Sequence, residues 1–212
     1  MLSLRTVRRY IKPPLFLLCL FPAAGVVAGA FGAFDLGANP IEAIQDTLGI
    51  WGLRLLVLTL AITPLKDWTG QTSLIALRRM LGLFAFFYVL AHFLTWLILD
   101  QGMYWDGILK DIAKRPFITI GFAALLLLMP LALTSTRGMM RRLGRRWQQL
   151  HRAIYAIAIL GVWHYWWQVK ADFREPLIYA VLVSVLLGWR VYAARRRSRS
   201  FVARKAVDAS NA

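Results

Sequence analysis

Three histidines lie in hydrophobic stretches of this 212-residue chain, 59% of which is apolar. His92 lies in the third such stretch, and His151 and His164 lie in the fifth. An imidazole can ligate a metal or carry a proton, and it is costly to place in hydrocarbon, so a histidine within a membrane marks a functional site by default. The sequence therefore predicts that the chemistry of this protein takes place at these side chains.

Six apolar stretches are long enough to cross a bilayer, since a helix of about twenty residues spans roughly 30 Å of hydrocarbon. We expect spans at Leu15–Phe34, Leu48–Leu65, Met80–Leu99, Phe117–Leu133, Trp147–Val169 and Leu177–Ala194. Too few polar residues remain between them to build a water-facing surface. The sequence thus predicts an all-α integral membrane protein, a six-helix bundle over residues 15–194, with a basic N-terminus (1–14) and a basic tail (195–212).

The net charge of +16 follows the predicted loops and does not suggest nucleic-acid binding. Basic residues concentrate in the two termini and in every second connection, at Arg5, Arg8, Arg9, Lys12, Lys66, Arg78, Arg79, Arg137, Arg141, Arg142, Arg145, Arg146 and the arginines after Ala194. Cytoplasmic loops carry such an excess. An even number of spans agrees with this pattern, so we expect a multi-pass protein in the lipid bilayer with both termini in the cytoplasm.

The first segment could instead be a cleaved signal peptide, with a small-residue site at Ala28–Ala30. Its removal would leave five spans and place the arginine-rich loops outside, which the positive-inside rule disfavours. Cys19 is the only cysteine, which excludes an intrachain disulfide and a cysteine-ligated cluster. No phosphate-binding loop or internal repeat is visible, so we expect any reductant to come from another molecule or from the membrane.

Depth along the helices brings two of the histidines to one level. At a rise of about 1.5 Å per residue, His92 lies about 10 Å and His164 about 8 Å inside the outer ends of their segments. Two neutral imidazoles that face each other from separate helices can hold a haem iron between them. Gly161, one turn before His164, would leave room for a porphyrin edge, although the same face also suits ordinary helix packing.

Arg54 lies at the same level, about 9 Å below the outer boundary of segment two. A guanidinium inside a membrane span demands an anionic partner, and a haem propionate would satisfy it. Alternatively, the side chain reaches out to the outer interface.

His151 lies about 20 Å from His164 along the helix axis, near the cytoplasmic face, and about 140° away in azimuth. The positions where a partner from segment three would be expected hold Arg78 and Arg79. A second bis-histidine haem therefore lacks its second histidine. His151 is left to ligate another haem weakly, to contact a flavin or quinone, or to cap the helix.

Several motifs together resemble one family. They are Trp51-Gly-Leu-Arg54 running to Ile62-Thr-Pro-Leu65, Arg78-Arg-Met-Leu-Gly82, Tyr88-Val-Leu-Ala-His92 and Trp147-Gln-Gln-Leu-His151. This combination, with His164, is similar to the MsrQ family over nearly the whole chain, up to about Tyr192. The resemblance implies the fold of the ferric reductase and NADPH oxidase membrane domain, a haem b, FMN and a bacterial inner-membrane location.

The resemblance also implies a function. MsrQ proteins deliver electrons to MsrP, a periplasmic molybdopterin enzyme that reduces methionine sulfoxide in oxidised proteins. The chain would be the electron-transfer subunit rather than the catalytic one, with His92 and His164 as axial ligands and His151 as the third matching histidine. The resemblance allows either the quinone pool or a cytosolic flavin reductase as the electron donor.

Two other functions remain open from the sequence. One is a cytochrome b subunit or ferric reductase that serves a different periplasmic partner, since histidines report a cofactor and not what reacts with it. The other is a proton-coupled or ion-coupled transporter in which His151, His164 and Arg54 form the pathway. A transporter of this kind predicts broken helices and an internal repeat, and neither is visible in the sequence.

Overall fold

The computed structural model describes residues 3–210, and within this range it is helical, without strands. The α-helices are α1 (Leu4–Thr6), α2 (Lys12–Ala30), α3 (Pro40–Thr69), α4 (Ile75–Thr95), α5 (Trp105–Lys114), α6 (Pro116–Leu133), α7 (Arg137–Leu143), α8 (Arg145–Leu150), α9 (Ala153–Gln168) and α10 (Arg174–Ser210). A π-helical turn, Val7–Ile11, joins α1 to α2. A second, Trp96–Asp100, extends α4.

Within residues 3–210, five helical stretches are long and apolar enough to cross a membrane: Leu4–Ala30, Pro40–Thr69, Thr72–Asp100, Pro116–Leu133 and Arg174–Arg196. The sixth expected segment corresponds to α9, which has 16 residues and packs against α3, α6 and α10. The predicted all-α, multi-pass membrane bundle is therefore confirmed. The cytoplasmic position of both termini stays a prediction, and Met1, Leu2, Asn211 and Ala212 lie outside the described residues.

Most helices extend beyond the apolar stretches that predicted them, because caps rather than hydropathy set helix ends. The helix of the second predicted span, α3, begins at Pro40 instead of Leu48. The side chain of Asn39 accepts the backbone N–H of Glu42 there, and Pro40 occupies the first helical position. The same helix ends at Gly70, whose φ of 68° is a left-handed conformation that terminates helices.

The fifth predicted span, Trp147–Val169, is not one continuous helix. α8 ends at Leu150, a turn contains His151 and Arg152, and α9 begins at Ala153. The azimuth expected from an ideal helix therefore does not apply to His151. Trp147 fixes this turn, because its indole Nε1 donates a hydrogen bond to the Thr134 carbonyl at 3.0 Å and its ring stacks on His151.

Tyr88 ties α4 to α2 at a proline. The hydroxyl of this fully buried side chain donates to the Cys19 carbonyl at 2.7 Å and accepts from the Ala23 amide at 3.0 Å. In a regular helix these two backbone groups would bond each other, four residues apart. The tyrosine instead bridges them beside Pro22, so both groups are satisfied where no water is available.

Arg190 joins α10 to α3 in a similar way. Pro64 lacks the N–H that would bond the Leu60 carbonyl. Arg190 Nη2 donates to this free carbonyl at 2.7 Å, and Nη1 donates to the Tyr155 hydroxyl at 3.1 Å. Pro64 thus leaves the Leu60 carbonyl without its helical donor, and Arg190 of another helix donates a hydrogen bond to it.

Tyr88→Phe is expected to lower the free energy of unfolding by about 1–3 kcal/mol, since buried backbone groups lose their partner. Denaturant titration in detergent, followed by circular dichroism, measures the difference. Tyr10→Phe is the matched control, because the side chain of Tyr10 is 66% exposed. Equal stability of Tyr88→Phe and the wild type would show that α2 closes its own hydrogen bond without the tyrosine.

Candidate functional site

His92 on α4 and His164 on α9 face each other inside the bundle. Their ring centroids are 6.0 Å apart, and the ring planes lie at 79° to each other. The helices that carry them are not sequence neighbours, since α5 and α6 and the short helices α7 and α8 lie between. The fold thus brings together the two histidines that depth along the helices placed at one level.

Both imidazoles are held by a backbone carbonyl of a neighbouring helix. His92 Nδ1 bonds the Gln45 carbonyl of α3 at 2.8 Å, and His164 Nδ1 bonds the Phe117 carbonyl of α6 at 2.7 Å. A carbonyl only accepts, so in each neutral ring Nδ1 carries the proton and Nε2 keeps its lone pair. Metal-ligating histidines are oriented in this way.

Sequence reasoning missed these two carbonyls, because any residue can supply one and no side chain marks it. No sequence signal pointed to them, but the two contacts have the same spacing in the chain. Each histidine bonds the carbonyl of the residue 47 positions earlier, so Gln45 and His92 correspond to Phe117 and His164. The two halves of the bundle therefore hold their histidines by the same contact, although no repeat is visible in the sequence.

A cavity of about 1280 Å³ surrounds the two rings. Its lining comes from the N-terminal parts of α3 and α6, the C-terminal parts of α4 and α9 and the connection to α10, so it extends into the bundle from the end predicted to face outward. Gly161 and Ile157 form part of its wall. A Cβ added to Gly161 would meet only Leu53, at 3.6 Å, which is an ordinary van der Waals contact, so a methyl group would fit here.

The residues present fit a haem. A metal–imidazole bond is about 2.0 Å long and the ring centre lies about 1.1 Å beyond the nitrogen, so rings on opposite sides of one iron have centres about 6 Å apart. The observed centroid distance of 6.0 Å agrees. Among residues 3–210, no group of three or more histidine, cysteine or carboxylate side chains is arranged to hold a metal ion.

Arg54 lines the same cavity as the two histidines. Its Nε donates to the Tyr179 hydroxyl at 3.0 Å, and its guanidinium lies over the Trp51 ring at 5.0 Å from the centroid. In the described part of the chain it forms no ion pair with a carboxylate. The cavity therefore contains a guanidinium that can bind an anionic group.

His151 does not line this cavity. Its ring stacks on Trp147 with centroids 3.9 Å apart, and its Nδ1 bonds the Trp147 carbonyl at 3.0 Å. Its Nε2 is buried and has no hydrogen-bond partner within residues 3–210. The structure thus separates His151 from the His92–His164 pair.

Two arginines lie near His151, toward the end of the bundle that is predicted to face the cytoplasm. Arg78 is close to His151, Tyr155 and Arg190, and Arg190 lies over the Tyr155 ring at 5.1 Å. We call Arg78, His151, Tyr155 and Arg190 the inner cluster. Neither arginine pairs with a carboxylate among the described residues, so the cluster carries positive charge that an anionic ligand would neutralise.

Comparison with known proteins agrees with this geometry. Residues 48–162 match the family described as ferric reductase like transmembrane component. The matched range includes His92 and His151, and His164 lies two residues beyond it. More than half of the chain is therefore covered.

Several relatives are similar over most of their length, and they carry the name protein-methionine-sulfoxide reductase heme-binding subunit MsrQ. The protein of Xanthomonas axonopodis pv. citri is 56% identical over 161 residues, which is 76% of this chain and 74% of the relative. The protein of Ralstonia nicotianae is 52% identical over 195 residues, which is 90% of this chain and 89% of the relative. The chain belongs to the MsrQ family of ferric reductase-like membrane proteins.

Proposed function

We propose that this protein is a membrane b-type cytochrome that passes electrons to a periplasmic molybdopterin methionine-sulfoxide reductase, MsrP, for the repair of oxidised proteins. The observation that carries the proposal is the pair of facing imidazoles, 6.0 Å apart, each with its Nδ1 proton donated to a carbonyl. Relatives named as heme-binding subunits of methionine-sulfoxide reductase support it.

In this proposal His92 and His164 ligate the haem iron through Nε2. The Gln45 and Phe117 carbonyls fix the tautomer and raise the basicity of the rings. Arg54 would hold a propionate, and Ile157 and Gly161, which line the cavity, would contact the macrocycle. Bound haem b supplies one-electron transfer. The protein contributes orientation, charge compensation and exclusion of solvent.

We further propose that electrons enter at the inner cluster. Its unpaired arginines suit the phosphate of FMN, and the buried Nε2 of His151 suits a hydrogen-bond donor or an iron. The exposed Arg141, Arg142, Arg145 and Arg146 would attract an acidic cytosolic flavin reductase. A membrane quinone is the second donor class, since it reaches the same level from within the bilayer.

The orientation follows from charge. If the arginine-rich end faces the cytoplasm, the cavity with His92 and His164 opens toward the periplasm of a bacterial inner membrane. MsrP would then dock on the connections α2–α3, α4–α6 and α9–α10. In this arrangement the inner cluster and the cavity lie on opposite sides of the membrane, as transmembrane electron transfer requires.

His92→Ala and His164→Ala are each expected to remove most of the bound haem, because an axial ligand is lost. His151→Ala is expected to retain most of it, since His151 lies outside the cavity. A pyridine haemochrome assay on protein purified in detergent gives haem per chain. Equal loss in all three variants, or a wild type without haem, would refute the assignment of the ligands.

Arg54→Leu is expected to weaken haem retention about tenfold to a hundredfold, in line with a lost hydrogen bond to a charged group, of about 1.5–3 kcal/mol. Competition with apomyoglobin for haem measures the change. Tyr179→Phe is the matched control, because it removes the neutral contact of Arg54 Nε and keeps the guanidinium. If Arg54→Leu retains haem like the wild type, the propionate is bound elsewhere.

The function is tested in proteoliposomes that contain the full chain, with MsrP and methionine sulfoxide outside. NADH, FMN and a flavin reductase, or alternatively a quinol, are supplied on the arginine-rich side. We expect methionine formation with at least one donor and none with His92→Ala. Reduction of ferric citrate without methionine formation by either donor would identify a ferric reductase, and solute uptake without haem would identify a transporter.

A further inference from the structure

Two glycines lie directly beneath the facing imidazoles. A Cβ added to Gly49 on α3 would lie 3.0 Å from His92 Nδ1 and 3.1 Å from its Cε1. A Cβ added to Gly121 on α6 would lie 2.8 Å from His164 Nδ1 and 2.9 Å from its Cε1. Real Cβ contacts are seldom this short, so each ring rests on helix backbone that only glycine exposes.

The two contacts have the same construction. Each glycine lies one helical turn after the residue whose carbonyl accepts the Nδ1 proton, Gln45 before Gly49 and Phe117 before Gly121. Each glycine also precedes its histidine by the same number of residues in the chain. The pairs α3–α4 and α6–α9 are therefore two copies of one histidine-holding unit, and the rings meet between them.

The ring cannot avoid an added methyl group by rotating freely. Its Nδ1 is bonded to the carbonyl on the same helix surface as the glycine, and its other edge faces the second imidazole. A Cβ would push the ring away from the helix and lengthen the Nδ1 hydrogen bond. The overlap is larger at Gly121, where both ring atoms would be closer than 3.0 Å.

We propose that Gly49 and Gly121 are positioning residues that set the orientation and basicity of the two axial imidazoles. This inference rests on the proposed ligation of haem by His92 and His164. A displaced ring with a weaker Nδ1 hydrogen bond is a poorer donor to ferric iron. The glycines therefore hold the midpoint potential of the haem low and keep the two ring planes nearly perpendicular.

Gly49→Ala and Gly121→Ala test the proposal, with Gly25→Ala and Gly188→Ala as matched controls. The control glycines are also helical, and a Cβ added to either meets no atom within 4 Å. Alanine is the better helix former, so a general effect of the substitution would stabilise the helix in all four variants. The readouts are haem retention, the redox midpoint and the low-spin ferric EPR signal of the purified protein.

We expect Gly121→Ala to lower haem retention about tenfold to a hundredfold, as other losses of a ligand-orienting contact do, and to raise the midpoint potential. Gly49→Ala should change both in the same direction but less. The wild type should show the highly anisotropic signal of nearly perpendicular imidazoles, and both variants should shift it. The two controls should match the wild type.

Two outcomes separate the inference from the function on which it rests. A wild type with a bis-histidine signal, together with Gly49→Ala and Gly121→Ala that match it in retention, midpoint and EPR, would overturn the role of the glycines and leave the ligands in place. A wild type without such a signal would overturn both. If Gly121→Ala does not fold, Gly49→Ala decides, because its smaller overlap requires a shift of only a few tenths of an ångström.

Discussion

Each of the two facing imidazoles donates a hydrogen bond from Nδ1 to a helix carbonyl, and the position of each ring depends on this bond. In hydrocarbon a polar group must find its partner within the protein. The carbonyls of Gln45 and Phe117 have a second lone pair beyond their helical bond, and the histidines use it. The opposite nitrogen is then free toward the space between α4 and α9. One hydrogen bond in each helix pair thus fixes the tautomer of the ring and the direction of its free lone pair.

Side chains also bind backbone groups at the positions where prolines interrupt helices. Pro22 and Pro64 each disturb a helix within the bundle, and a side chain from another helix binds the exposed carbonyl or amide. Tyr88 does so for α2 and Arg190 for α3. These contacts are long-range in sequence, so they lock the packing order of the helices as well as satisfying the groups. The cavity with His92 and His164 consequently lies in a scaffold whose helices are joined by directional hydrogen bonds and not by apolar packing alone.

The sequence predicted the fold well, because hydropathy and loop charge are strong signals over twenty-residue stretches. It also predicted that His92 and His164 lie at one depth, since topology and helix rise determine depth. It did not predict the turn at His151, which depends on the stacking of Trp147 and its bond to Thr134. It also gave no sign of Gln45, Phe117, Gly49 or Gly121, because backbone carbonyls and glycines act through position and carry no chemical mark of their own.

The shortness of α9 has a consequence for the surrounding lipid. Its 16 residues rise about 24 Å, less than the roughly 30 Å of hydrocarbon in a typical bilayer. Ile159 and Trp163 are exposed on its surface, so lipid chains meet this helix directly. A hydrophobic segment shorter than the bilayer is accommodated by local thinning or by flanking side chains that reach the interface, at a modest cost per ångström of mismatch. The two ends of α9 therefore lie closer together along the helix axis than the ends of α3, whose 30 residues rise about 45 Å.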